Sequence, residues 1–309
     1  MTVHNKSFKF TLIKILIITV TSFNHRFIDQ IKGITQIIDT QTLKERYSPE
    51  GSKLRENQKE LLEMLVDLAA ICKEHNIEWW LSSGTLLGAA RHGGFIPWDD
   101  DIDIVMTRKE VKSLEKILHK LDSEKYVYQT IHSDIEYTNV FGKFRKLDDT
   151  VSIYGGRYKY LKYKGKFIDI FSIEKTSLFA SRAAKIIYRN LQHLSIYVKT
   201  KWLRHLTTRV IQILCLGIIV PIIRLIGKIN PKGEYHYTLG IGWQKSTFFA
   251  KDIFPLSKAK FEGYEFPVPK DMDAYLRGVY GDWRKIPTEE QIKASIHCVE
   301  YREEIFGEK

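Results

Sequence analysis

Four carboxylates crowd one short stretch of the chain, Trp98-Asp-Asp-Asp-Ile-Asp103. Alternate residues of a strand share a face, so Asp99, Asp101 and Asp103 point one way while Asp100 and Ile102 point the other. Three carboxylates on one face repel one another unless a cation lies among them. All-oxygen ligands of this kind suit Mg²⁺ or Mn²⁺. The competing reading is a solvated acidic turn, but the run feeds straight into Ile104-Val-Met106, which anchors it on a core strand. An EF-hand loop is excluded. Its sixth position needs Gly and here holds Ile104, and Glu110 is already explained by a helix cap.

Three further groups complement the acids. Asp169 lies among Phe167, Ile168, Ile170 and Phe171, where an unpaired carboxylate would be costly. Metal coordination removes that cost; the alternative is a turn cap at a strand end. Gly84-Thr85 precedes Asp101 by 16 residues. A Gly at a strand end lets backbone approach a ligand, and the helix N-terminus behind it favours a phosphate. The cations are Arg91 and His92 before the Asp run, and Lys143, Arg145 and Lys146 later. On a strand Lys143 and Arg145 share a face and can hold a phosphate, whereas Lys146 points opposite. For any single Lys, a solvated surface position is an equal alternative.

The elements that must position these residues follow from periodicity. Arg55 to His75 reads as a helix with Leu61, Leu65, Leu68 and Cys72 on one face. Ile77–Ser82 reads as a strand and Thr85–Arg91 as a short helix ended by Gly93-Gly94. Thr107-Arg-Lys-Glu110 is a capping box for a helix with Val111, Leu114, Leu118 and Leu121 in one stripe. Tyr126–Ile131, Val140–Leu147 and Phe167–Ile173 read as strands, and Phe261–Val268 as a strand or hairpin edge. Asp271–Tyr280 reads as a short helix and Thr288–Glu304 as one longer helix. The order predicts an α/β (α+β) mixed sheet flanked by helices.

Length and composition bound the rest. The 309 residues suit one large domain with an appended part, and 44% apolar with 28% charged residues is ordinary for a globular chain. Three distant cysteines, Cys72, Cys215 and Cys298, give neither a disulfide framework nor a zinc clamp. The net charge of +11 is confined: residues 175–232 carry 11 basic and no acidic residues, leaving 37 of each sign elsewhere. That is not a nucleic-acid footprint, which spreads charge over a folded face. The same insert holds the uncharged 14-residue run Val210–Ile223, flanked by Arg204, Arg209, Arg224 and Lys228. At that length it falls short of the ~20 residues of a spanning helix. It reads as a helical membrane-surface insert with its cations toward anionic headgroups, or as a buried hairpin with basic ends. Residues 1–50 read as a basic leader, perceived from Lys6, Lys9 and Lys14 before a short apolar stretch, and as a second membrane contact.

The stretch from Trp80-Leu-Ser-Ser-Gly-Thr through Arg91-His-Gly-Gly-Phe-Ile-Pro-Trp-Asp-Asp-Asp-Ile-Asp103 resembles the signature of the LicD family. These are choline-phosphotransferase-like enzymes that include the fukutin-related proteins. Phe167-Ile-Asp-Ile-Phe171, Phe261-Glu-Gly, Tyr280-Gly-Asp-Trp and His297 look like its later landmarks. The resemblance covers roughly residues 58–300 and is strongest over 79–107. It implies a nucleotidyltransferase fold over residues 51–309. Its metal would be held by Asp101, Asp103 and Asp169, with Asp99 in or behind the shell. It also implies transfer of a phosphorylated alcohol from a CDP-activated donor, such as CDP-choline or CDP-ribitol, to a sugar hydroxyl of a cell-surface glycan. Lipopolysaccharide, teichoic acid and capsule are such glycans. Asp169 would take the hydroxyl proton, and Lys143, Arg145 and Arg91 would stabilise the leaving CMP. A lipid-linked acceptor would place the enzyme in the cytoplasm, at the inner face of the membrane. The alternatives are a glycosyltransferase using the Asp-x-Asp motif, a nucleotidyltransferase making an activated sugar or alcohol, and a catalytically dead binding protein.

Overall fold

The computed structural model describes residues 40–120, 123–147, 149–150, 158–229, 232–238 and 247–307. The chain divides into two units, Met1–Arg46 and Tyr47–Lys309. Within the first unit, residues 40–46 are helical, and the leader up to residue 39 lies outside the described residues.

The second unit is the expected α/β body. Helix α1 (Lys53–Glu74) starts at Ser52, whose side chain accepts from Arg55 N–H, and buries Leu54, Leu61, Leu65, Leu68 and Cys72. Asn76 ends it in the left-handed region at φ 53°. Then come β1 (Trp80–Leu81), α2 (Ser83–His92), β2 (Ile102–Thr107), α3 (Arg108–Leu118), β3 (Tyr126–Gln129), β4 (Gly142–Lys146) and β5 (Phe167–Lys175). Thr107 caps α3 by accepting from Glu110 N–H. Two small strands, β6 (Glu234–Tyr237) and β7 (Phe248–Phe249), complete the sheet.

The strand order is β1-β2-β5-β4-β3, with β6 on the far part of β5. The central pair β2–β5 is parallel and the others are antiparallel, so the sheet is mixed. Trp80, Leu81, Ile104, Phe144, Ile168 and Ile170 are fully buried and form the core across these strands. The register decides the chemistry. Asp103 on β2 lies opposite Asp169 on β5, and Asp169 lies opposite Lys143 on β4. Directly opposed residues share a face, so three charged side chains meet on adjacent strands.

Two expectations are revised here. The single helix over Thr288–Glu304 is two, α8 (Glu289–Ser295) and α9 (Val299–Phe306). The break frees the backbone N–H groups of His297 and Cys298, which both donate to Asp100 Oδ2 at 2.8 and 2.7 Å. A continuous helix would have tied those donors up internally. The segment between β7 and α8 also carries α6 (Ala250–Ile253), the hairpin β8–β9 (Ser257–Phe261, Tyr264–Val268) and α7 (Met272–Tyr280).

The second revision concerns the basic insert. After α4 (Leu178–Ile196), one unbroken helix, α5, runs over Lys201–Gly227. Residues Ile213–Ile219 of it are π-helical, immediately before Pro221. Proline cannot donate an N–H, and the wider turn lets the helix continue past it. By length and composition α5 can cross a membrane, so the expected shortfall in length does not hold. Nor do two of the flanking cations reach for headgroups. Arg204 is buried on Glu136 and Arg224 pairs with Glu174, because each meets a carboxylate of the α/β body.

Candidate active site

The site is built where β2, β5 and β4 run side by side. Carboxylate oxygens of Asp101, Asp103 and Asp169 lie within 4.8 Å of one another. Burial pushes the Asp103 carboxyl well above the usual range, and Asp101 and Asp169 push it further. Burial likewise lifts Asp101 to about 6, with His297 opposing the rise. Carboxylates held together at such cost are a donor set that fits a hard divalent cation, which would replace the protons they otherwise retain.

Asp99 belongs to the same neighbourhood: its charge and those of Asp101 and Asp103 act on one another. β2 begins only at Ile102, and the three aspartates lead into it from a turn that Asp99 N–H closes onto the Ile96 carbonyl. The Asp99 carboxylate turns toward Gly84, and its Oδ2 is buried without a hydrogen-bond partner among the described residues. Burial, then Asp101, raises its carboxyl well above the ordinary range. Asp100 points away, toward His297: the ring Nδ1 stands 3.1 Å from Asp100 Oδ1 and 3.6 Å from Asp101 Oδ2. Hydrogen bonding to Asp100 holds the His297 imidazolium to about 10.

The predicted phosphate-side residues take distinct positions. Gly84 falls in the first turn of α2 rather than before it. Ser83 just ahead has φ 46°, a strained conformation for a non-glycine residue. Thr85 is buried and its Oγ1 accepts from Asp103 N–H at 2.8 Å, so it fixes the backbone of a carboxylate. Lys143 Nζ bonds Asp169 Oδ1 and lies 3.3 Å from the Phe167 ring centroid. Burial lowers its ammonium, and Asp169 opposes that. Arg145, also buried, is committed to Gln129 Oε1 and the Gly165 carbonyl. Arg91 Nε donates to His92, and its Nη1 reaches the carbonyls of Trp283 and Lys285 at 3.3 and 3.4 Å. The structure thus brings Lys143 and Gly84 to the acidic cluster, while Arg91, His92 and Arg145 brace its surroundings.

Several residues that position the site were not singled out by sequence reading. Asn57 and Gln58, buried on α1, donate to the carbonyls of Asp100 and Asp99 and hold the acidic turn. Two adjacent amides between Leu54 and Leu61 interrupt the apolar face, a signal available in the sequence. Tyr275 on α7 bonds Ser82, whose own N–H donates to Asp103 O. Glu262, in the tip of the β8–β9 hairpin, accepts from Phe95 N–H and from Arg55. A Cβ on Gly94 would collide with that Glu262 carboxylate, which accounts for the glycine there.

A mixed sheet with Gly in a helix's first turn, Asp101 leading into a strand that carries Asp103, and Asp169 on the parallel neighbour is the arrangement expected of a nucleotidyltransferase-like enzyme. Residues 76–216 match the family model described as LicD/FKTN/FKRP, nucleotidyltransferase domain. By this match the chain is similar to the LicD family, and it is an enzyme, a transferase of phosphorylated groups. It is 29% identical over 260 residues to the lipopolysaccharide cholinephosphotransferase LicD of Haemophilus influenzae, covering 78% of this chain and 94% of that protein. It is 38% identical over 50 residues to the ribitol 5-phosphate transferase FKRP of Homo sapiens, covering 16% of this chain and 10% of that one.

Proposed function

We propose that the chain moves a phosphorylated alcohol, phosphocholine or a polyol phosphate, from a CDP-activated donor to a sugar hydroxyl of a cell-surface glycan. The observation that carries this reading is the registered row of Asp103, Asp169 and Lys143, with Asp101 beside it. Asp101, Asp103 and Asp169 would hold Mg²⁺ or Mn²⁺, with Asp99 behind them. The cation would supply charge neutralisation of the donor's pyrophosphate.

The protein groups do the rest. The start of α2, opened by Gly84 and anchored by Thr85, presents backbone N–H groups to a donor phosphate. The acceptor oxygen forms a bond to the phosphorus bearing the alcohol. The bond from that phosphorus to the bridging oxygen breaks, and CMP leaves with the bridging oxygen. Asp169 receives the hydroxyl proton, and Lys143 on its Oδ1 keeps the other oxygen aimed at the site. Lys143, Arg91 and Arg145 would offset the charge of the leaving CMP, with His92 holding Arg91 Nε.

The acceptor is read as lipid-linked, and the enzyme as working in the cytoplasm, peripherally at the inner face of the membrane. Support comes from α5, whose outward side chains Ile213, Ile218, Ile222 and Leu225 are half exposed or more.

The test is a screen of CDP-choline, CDP-ribitol and UDP-sugars for Mg²⁺-dependent nucleotide release, with lipid-linked oligosaccharide as acceptor. Release of CMP from one CDP donor is expected. Turnover of a UDP-sugar with none of any CDP compound would establish the glycosyltransferase alternative instead.

A further inference from the structure

Helix α5 is inverted relative to a helix on a water-exposed surface. The inward positions of its first half are polar: Arg204, Thr208 and Gln212, four residues apart, are all buried, whereas Cys215, Val220 and Gly227 are the buried ones further on. Residues at that spacing share one face. Its outward positions are apolar, Leu206 and Val210 among them, and continue to Leu225. Where the polar inward face begins, the helix borders a cavity of about 760 Å³, closed on the other side by residues 132–136.

That cavity is electropositive. Its two carboxylates are already engaged. Glu136 takes Arg204 Nη2 at 2.7 Å and His205 Nε2 at 2.8 Å. Asp134 takes Gln129 Nε2 at 2.7 Å and Lys162 N–H at 2.8 Å. Lys162, Lys199, Lys201 and Arg209 also line it. Lys199 and Lys201 are exposed, and neither has an acidic partner among the described residues. Cations gathered in a concave wall focus their field on whatever anion enters.

The cavity is also close to the chemistry. Its wall starts at His132, three residues after Gln129, which stands opposite Lys143 in the sheet, and Lys143 stands opposite Asp169. Two strand spacings, about 10 Å, separate Gln129 from Asp169. Hydrogen bonds from Asp134 through Gln129 to Arg145 join the cavity floor to β4.

We infer that this cavity is an acceptor-side anion subsite. It receives the terminal phosphate or pyrophosphate of a lipid whose tails lie along the apolar face of α5. The inference rests on the reading of the acceptor as lipid-linked, and it names the group by which the acceptor is held. Apolar surface and phosphate-binding cations on one helix select a lipid-borne phosphate over a free one.

The experiment uses the full chain and the variant K162Q/K199Q/K201Q. Each is sedimented with phosphatidylcholine vesicles carrying phosphatidate or phosphatidylglycerol at matched surface charge. The parent should bind the terminal phosphate of phosphatidate roughly tenfold more tightly than the diester of phosphatidylglycerol. Inorganic pyrophosphate should remove that preference, and the variant should bind both vesicles alike. Equal binding of the two lipids by the parent, or a preference kept by the variant, would overturn the subsite. Pyrophosphate binding without any vesicle preference would make it a site for free anions and overturn the lipid assignment. No donor is present, so failure of the CDP reading shows separately, as absent CMP release beside a normal vesicle preference.

Discussion

A Cβ placed on Gly84 would stand 2.6 Å from Asp99 Oδ2, so the first turn of α2 and the acidic turn touch through a missing side chain. Gly84 shows no left-handed backbone, and the requirement is one of space. Gly84→Ala is therefore expected to fold but to displace Asp99 and the start of α2. An ångström-scale misplacement of this kind costs about 100-fold in kcat. Steady-state kinetics with a melting curve checks it; unchanged kcat would mean the close approach has no role.

Lys143 and Asp169 form a buried ion pair at adjacent positions of the sheet. Lys143→Met leaves a carboxylate buried without its partner. Breaking such a pair destabilises by about 3 kcal/mol. Urea unfolding should show this without added metal, and Mg²⁺ should restore part of it by supplying another positive charge. A variant as stable as the parent in both conditions would contradict the pairing.

The acidic cluster also predicts a pH dependence. Asp101 is raised to about 6, above the ~3.9 of an unfolded Asp. A raised carboxyl stabilises the folded state fully below the unfolded value, and that contribution disappears as pH rises through about 6. The metal-free protein should lose stability over this window. A cation takes the place of the protons, so its effect on Tm should be small at about pH 5 and larger at about pH 7.5. Equal Tm shifts at both pH values would dissociate the cluster from the cation.

The outward face of α5 should carry membrane association. Replacing Ile213, Ile218 and Leu225, all well exposed, with Gln removes apolar surface without touching the buried Arg204–Glu136 pair. Binding to anionic vesicles should weaken roughly tenfold or more, since each apolar side chain contributes on the order of 1 kcal/mol or more. Undiminished sedimentation would assign this face to another contact.

Much of the site was legible in the sequence because its signals are local. Asp101 and Asp103 are two apart where the chain enters a strand, and Asp169 sits in an apolar strand that would not otherwise hold a charge. Asp99 and Asp101 both precede the strand, which starts at Ile102. What sequence could not give were the pairings set by register and tertiary contact. Glu136 captures Arg204, 68 residues away, and Asp100 captures His297, 197 residues away. Those two contacts turned a predicted headgroup cation into an internal ion pair and split a predicted helix. The 14-residue apolar run was read by its lack of charge, whereas helix length is set by backbone continuity through Pro221.

The central claim is that Asp101, Asp103 and Asp169 together hold the divalent cation that supports phosphoalcohol transfer. Its most direct test is CMP release from CDP-choline and CDP-ribitol by the parent and by Asp103→Asn, each with Mg²⁺ and with chelator. The account predicts release by the parent only with Mg²⁺. It predicts a loss on the order of 10³-fold or more in the variant, with the fold intact by circular dichroism. Near-normal turnover by Asp103→Asn, or by the parent in chelator, would contradict it.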